Sequence, residues 1–314
     1  MRYNAWWVMT GILASSFAIS TPAALAQQGA TENRNPSYAE LRREHPGWVQ
    51  VPGMLIRPDC VHEIPDGATI QSKADGAARV ISGGAMIARW GACPEQGIRT
   101  RPINKIGPDI SSIPATGNGW VEAFGWMGTD DVQSISARWF VPQDPGNTGT
   151  TIYMFDGVVT TDNNWILQPV LENFGDGNGW WIESYYVHDT SIVMHGSKRG
   201  VSLSDTILGS VTVISSGSGT EREVFIQDQN NGSKSYFDYT TTDLHFTFSV
   251  AAVLEAYSID NCDQFPSNGS TEFTNVVASP SHGWTAYDPS YWGWTGPSCN
   301  FGQTTNGPNL VLSY

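Results

Sequence analysis

The second half of the chain is written in period-two runs. Val132–Val141 (Val-Gln-Ser-Ile-Ser-Ala-Arg-Trp-Phe-Val) alternates apolar and polar residues and stops at Pro142. Arg222–Gln229 and Ser233–Tyr239 flank Asn230-Asn231-Gly232, a strong hairpin signal. Further β-rich stretches cover 201–215, 244–257, 271–278 and 309–314. About ten strands over roughly 195 residues, separated by turn text, predict an all-β fold. The expected architecture is a β-sandwich of two curved antiparallel sheets, a concanavalin-like jelly roll. Upstream, Ser37–His45 predicts one short helix. From Trp48 to about Ile106 the text mixes Gly, Pro and short apolar pieces, which predicts an irregular N-terminal extension. Residues 107–119 read as a linker, so the expected units are 1–26, 27–110 and 111–314.

Three of the apolar runs carry a polar residue that a core does not accept. They are Trp165-Ile-Leu-Gln168-Pro-Val-Leu-Glu172, Trp180-Trp-Ile-Glu183-Ser-Tyr-Tyr-Val187 and Ser249-Val-Ala-Ala-Val-Leu-Glu255-Ala-Tyr257. Burying an amide or carboxylate costs several kcal/mol unless it is paired or used. Alternation puts Ile166, Gln168, Val170 and Glu172 on one strand face. It likewise groups Trp181, Glu183, Tyr185 and Val187, and then Ala251, Val253, Glu255 and Tyr257. If those faces coincide, Gln168, Glu183 and Glu255 line one aromatic trough suited to an extended polymer. Trp180, Trp181, Tyr185, Tyr186 and Tyr257 are candidates for its walls.

Residues 1–26 combine Arg2, the apolar stretch Ala5–Ala14 and the small-residue end Ala24-Leu-Ala26, which reads as a secretory signal. An exported location is expected, periplasmic in a Gram-negative host. Four cysteines follow, Cys60, Cys93, Cys262 and Cys299. An even count in an exported chain favours two disulfides, most simply Cys60–Cys93 and Cys262–Cys299. Formal net charge is −14, unevenly placed. Residues 27–110 hold ten Lys/Arg and nine Asp/Glu; residues 111–314 hold five against twenty-one. Such a surface disfavours nucleic acid and anionic membranes as partners. It suits an acid medium, where carboxylates lose charge and few cations remain to repel one another.

Taken together, these residues resemble the glutamic peptidases, or eqolisins, acid endopeptidases with a lectin-like β-sandwich. Ile166-Leu-Gln168 resembles the family's Gln strand, and Leu254-Glu255-Ala-Tyr257 its Glu strand. Ala137-Arg-Trp-Phe-Val-Pro142, Phe155-Asp156-Gly157, Trp181-Ile-Glu183-Ser-Tyr185 and Glu272-Phe-Thr-Asn275 resemble further family motifs in the same order. The resemblance covers about Trp120 to Tyr314. It departs at Ile152 and Ala256, where the family has Trp, and in 280–303, which has no counterpart. These departures also fit a neprosin-like relative that uses two glutamates, in which Glu183 takes the larger part.

The resemblance implies that Glu255 is a general base and Gln168 an oxyanion donor. It implies supporting roles for Asp156 and Glu183, and substrate contacts from Trp181, Tyr185 and Tyr257. A carboxylate is suited to base work at low pH, where histidine is protonated. The expected partner is a polypeptide substrate, with no metal or cofactor, and the chain is expected to act as a monomer. Residues 27–110 are expected to be a propeptide or accessory region, since a nearly neutral, Arg-bearing segment suits an acidic cleft. Two other classes stay open: a carboxylate-pair glycosidase using Glu183 and Glu255, and a lectin-like binding module without turnover.

Overall fold

The computed structural model describes residues 38–72, 77–100, 119–188, 191–217, 219–288, 294 and 296–314. The expected signal at 1–26 and most of the expected linker at 107–119 lie outside them. Asn35–Tyr314 forms one compact unit. No helix among the described residues is long and apolar enough to cross a membrane.

One short helix, α1 (Tyr38–Glu44), precedes the strands and matches the expected one. Seven short strands follow: β1 (Val49–Val51), β2 (Met54–Ile56), β3 (Val61–Glu63), β4 (Thr69–Ser72), β5 (Ala78–Ser82), β6 (Ala85–Trp90) and β7 (Ile98–Arg99). Next come β8 (Gly119–Met127), β9 (Ser134–Phe140), β10 (Thr151–Val159), β11 (Trp165–Asn173), β12 (Trp180–His188), β13 (Ile192–His195) and β14 (Arg199–Val201). The chain continues through β15 (Thr206–Ser216), β16 (Thr220–Asp228), β17 (Lys234–Thr241) and β18 (Phe248–Tyr257). It closes with β19 (Ser270–Ser279), β20 (Thr285–Tyr287), β21 (Gly302–Asn306) and β22 (Asn309–Ser313).

The fold is the all-β sandwich that the alternation predicts. A front sheet runs β20-β8-β18-β10-β11-β12-β13-β3, with β14 also on β12. A back sheet runs β21-β22-β19-β9-β15-β16-β17-β4-β5-β6. The hairpin expected around Asn230–Gly232 is β16–β17, and Gly232 takes the positive φ of +81° that its turn requires. Between the sheets, Trp139, Met154, Leu167, Leu171, Trp180, Ile182, Tyr186, Ile226 and Phe237 belong to one buried core.

The N-terminal extension is more regular than its sequence suggests. Strand β3 adds to the front sheet in parallel beside β13, and β4 adds to the back sheet in parallel beside β17. Ile64, Ile70 and Val80 enter the common core. Strands β5 and β6 continue the back sheet beyond β4, while α1, β1, β2 and β7 lie on the outer face of the front sheet. There α1 packs with a small sheet, β1-β2-β7. Tyr38, Val51, Met54, Ile56 and Cys60 meet Tyr153, Phe155, Val170, Tyr185, Val253 and Tyr257 in a second buried cluster. Both expected disulfides are present, Cys60–Cys93 and Cys262–Cys299. Neither connects the extension to the rest of the chain.

Candidate functional site

The outer face of the front sheet is where the misplaced polar residues collect. On β11, Ile166 and Val170 belong to the outer cluster, so Gln168 and Glu172 share that face by parity. Tyr185 and Val187 bring Glu183 and Trp181 of β12 to the same side, and Val253 and Tyr257 bring Glu255 of β18. All three polar residues are buried, Gln168 and Glu183 nearly so and Glu255 wholly.

Register decides which of them meet. On β10, Tyr153 stands opposite Glu255 of β18 on one side and opposite Glu172 of β11 on the other. Glu255, Tyr153 and Glu172 therefore form one row across three strands. Gln168 lies four residues further along β11, about 13 Å away at a strand rise near 3.3 Å per residue. It pairs with Tyr185 on β12. The structure thus puts Gln168 and Glu255 on one face but not side by side. Among the described residues, neither end of the Gln168 amide has a hydrogen-bond partner, although the side chain is buried.

The row is densely wired. The Tyr185 hydroxyl donates to Glu172 Oε2 at 3.0 Å, and Lys198 Nζ lies 3.2 Å from Glu172 Oε1. The same ammonium sits 3.9 Å from the Phe174 ring centroid and 5.0 Å from that of Trp181. Burial pushes Glu172 up to about 8, helped by the nearby Glu183 charge and opposed by Lys198 and Tyr185. Burial pushes Glu183 up to about 7, against a Tyr185 hydrogen bond and Lys198. His195 Nδ1 lies 3.4 Å from Glu183 Oε2 and 3.0 Å from the Gly196 carbonyl oxygen. Burial lowers the His195 pKa, which keeps that ring neutral at neutral pH. Burial, then the charges of Glu172 and Glu255, hold the Tyr153 phenol well above its ordinary value.

The N-terminal extension closes over this row with its own backbone. β1 and β2 are joined by a tight turn at Pro52-Gly53, with Gly53 at φ +75°. The Gly53 N–H donates to Glu255 Oε1 at 2.6 Å, and Tyr153 donates its hydroxyl to the Gln50 carbonyl at 3.1 Å. The Tyr257 hydroxyl donates to Glu255 and lies 2.6 Å from Thr100 Oγ1 of the extension. The Tyr38 ring meets the Tyr257 ring at 5.0 Å. Two backbone groups and two side chains of the extension thus occupy the ground above the carboxylates.

Several expected residues lie elsewhere. Asp156 faces the inner side, against β9 and β15, where a Cβ added at Gly209 would meet its carboxylate. Tyr153 and Phe155 belong to the outer cluster and Met154 and Val158 to the inner one, so plain alternation along β10 keeps Asp156 off the outer face that Gln168 shares. Trp180 and Tyr186, considered as trough walls, also point into the inter-sheet core. Ala251 leaves the face of Val253 and Glu255 because β18 bulges between Val250 and Ala252. Trp181, Tyr185 and Tyr257 are on the outer face, as their parity requires. Sequence reading did not single out Tyr153, Glu172 or Lys198. Glu172 carried a usable signal: it shares Gln168's face inside a run with no exposed position. Among the described residues, no group of three or more His, Cys, Asp and Glu side chains is placed to hold a metal ion.

No family model matches the chain, and no curated protein matches it. Among solved structures, it is similar to scytalido-glutamic peptidase with a transition-state analogue inhibitor. That match has 19% identity over 63% of this chain and 98% of that one, with a TM-score of 0.44. It is similar to SCP-B, an eqolisin-family peptidase in complex with the tripeptide Ala-Ile-His, at 18% identity over the same shares and a TM-score of 0.43. A CBM2 module of the evolved Dit of Lactobacillus casei BL23 phage J-1 matches at 12% identity over 69% and 95%, with a TM-score of 0.27.

Proposed function

We propose that this chain is a secreted acid endopeptidase of the glutamic type, held latent by its N-terminal extension. The observation that carries the reading is a stretch of polypeptide backbone already seated on Glu255 and Tyr153. Gly53 presents its N–H to Glu255, and Gln50 presents its carbonyl to Tyr153. A face that satisfies both donor and acceptor of a polypeptide backbone is built for a polypeptide.

In the proposed reaction, ionised Glu255 takes a proton from water as the water oxygen attacks the scissile carbonyl carbon. The carbonyl oxygen becomes an oxyanion and is stabilised by a neutral donor on the same face. The C–N bond then breaks, and the proton held by Glu255 passes to the departing amine. A well-placed donor of this kind contributes ~3 kcal/mol to the barrier reduction. Tyr257 orients Glu255, and Tyr185 and Trp181 flank the chain that binds.

Latency follows from the cover. Both disulfides close within one side of residues 101–118, so one cut there leaves the extension held by non-covalent contacts alone. Those contacts include the parallel pairings β3–β13 and β4–β17, the share of Ile64, Ile70 and Val80 in the common core, the outer cluster, and an ion pair of Asp66 with Arg199 at 2.8 Å.

The full chain is to be held at acid pH with casein, with pepstatin and a chelator present, and its new N-terminus sequenced. Digestion, with a start between residues 100 and 119, is expected. Full activity with a start near Gln27 would sink the latency. Hydrolysis of a polysaccharide in place of casein would turn the reading to a carboxylate-pair glycosidase, and no hydrolysis of either would favour a binding module.

A further inference from the structure

We propose that Glu172, rather than Gln168, is the catalytic partner of Glu255, with Tyr153 standing between them. This rests on the hydrolase reading above and names a residue it left open. Three observations converge. The first is register: Tyr153 is flanked by Glu255 and Glu172 in one row, while Gln168 lies about 13 Å along the strand. Two strand spacings separate the backbones of Glu255 and Glu172, about 10 Å, with the buried Tyr153 side chain on the same face between them.

The second is where the chain's own backbone sits. The extension touches Tyr153 and Glu255 through Gln50 and Gly53. The buried Gln168 amide has no hydrogen-bond partner among the described residues, in the cover or elsewhere. Peptide backbone is received at the Glu255 and Tyr153 end of the row.

The third is that Glu172 is held in place. Tyr185 grips one oxygen and Lys198 the other, and Phe174 and Trp181 hold the Lys198 ammonium. Glu183 of β12, His195 of β13, Tyr153 of β10 and Lys198 of the β13–β14 loop are the other titratable groups around it. Desolvation dominates this set and favours the neutral acid. A neutral carboxyl donates its O–H to a developing oxyanion, the work an amide N–H does in a Gln/Glu pair. Water reaching the row after the cover leaves relieves part of that desolvation, so the carboxyl remains a donor only in acid.

The test compares acid-activated wild type with Glu172→Ala, Glu172→Gln and Gln168→Ala, measuring kcat and KM on one peptide from pH 2 to pH 8. Glu172→Ala is expected to lower kcat ~100-fold or more with KM little changed, the cost of one oxyanion donor. Glu172→Gln keeps an N–H donor, so its rate stays within about tenfold and extends to higher pH than the wild type's. Gln168→Ala is expected to stay within about tenfold as well. If Glu172→Ala fails to fold, the pH profile of the isosteric Glu172→Gln decides. A Gln168→Ala variant without activity beside an unchanged Glu172→Gln profile would overturn the proposal alone. A wild type that hydrolyses no peptide would overturn it together with the hydrolase reading.

Discussion

The two faces of the front sheet are made by the same strands and do opposite work. On β11, Trp165, Leu167 and Leu171 point inward into the core, while Ile166, Gln168, Val170 and Glu172 point outward. All nine residues of that strand are buried. Burial therefore does not separate structure from chemistry here. The inner face is closed by the back sheet through apolar contact. The outer face is closed by a segment that presents backbone polar groups to Glu255 and Tyr153. A sheet packed on both faces can place ionisable groups in a dry setting on one side while the other side carries its stability.

The sharpest way to break that comparison is to substitute one residue on each face. Glu255→Gln removes the proposed base and keeps an acceptor for the Gly53 N–H. Peptide hydrolysis at acid pH is expected to fall ~1000-fold, within the range that a general base contributes. The denaturation midpoint should hardly move. Leu171→Ala, fully buried on the inner face, is expected to cost about 3 kcal/mol in a chemical denaturation series. Hydrolysis per folded molecule should then stay at the wild-type level. A Glu255→Gln protein with full activity would remove the chemistry from the outer face.

The contrast was half legible in the sequence. Period-two text gave the sandwich, the β16–β17 hairpin and the faces of Gln168, Glu183 and Glu255. Parity assigns a side of the sheet, but not a position along it. Rows are set by pairing through β10, and nothing in β11 or β18 alone says that Tyr153 joins Glu172 to Glu255. The bulge in β18 reversed the side of Ala251, because one extra residue shifts the alternation beyond it, whereas Asp156 faces inward by the plain alternation of β10. The strands of the extension were illegible for a related reason. They are two to six residues long, and β3 and β4 gain their pairing from sheet edges far along the chain. The aromatic walls divided as parity requires: Trp181 and Tyr185 outward, Trp180 and Tyr186 inward.

A second, smaller effect sharpens the comparison through pH. Glu172 is pushed up to about 8 and Glu183 to about 7, from an ordinary value of 4.5. Below that ordinary value both states hold these protons, and nothing is lost. As pH rises further, the unfolded chain releases protons that the folded chain retains, so stability falls until the folded groups ionise near 7 and 8. Asp156 on the inner face, raised well above its ordinary value by burial, adds a loss of the same sign. The melting temperature of the uncut chain is expected to be highest near pH 4 and to decline toward pH 8, as calorimetry across that range would show. Glu172→Gln should flatten the decline without changing the value at pH 4. A melting temperature that rises with pH would contradict the burial of these groups.

The smallest expected effect concerns what holds the cover on the outer face. Asp66 pairs with Arg199 at 2.8 Å and accepts from the backbone N–H groups of Ser197 at 3.3 Å and Tyr236 at 3.4 Å. Asp66→Asn keeps an acceptor and removes only the charge. For a partly exposed pair the stability cost is below about 1 kcal/mol. The readout that matters is the pH at which the extension separates after a cut between residues 100 and 119. With this contact of the cover already lost in Asp66→Asn, separation is expected to begin at higher pH than in the wild type. Asp59→Asn is the control, because Asp59 pairs with Arg57 inside the extension and spans no boundary. If both variants shift the onset equally, the effect belongs to the extension's own folding and not to its grip on the sheet.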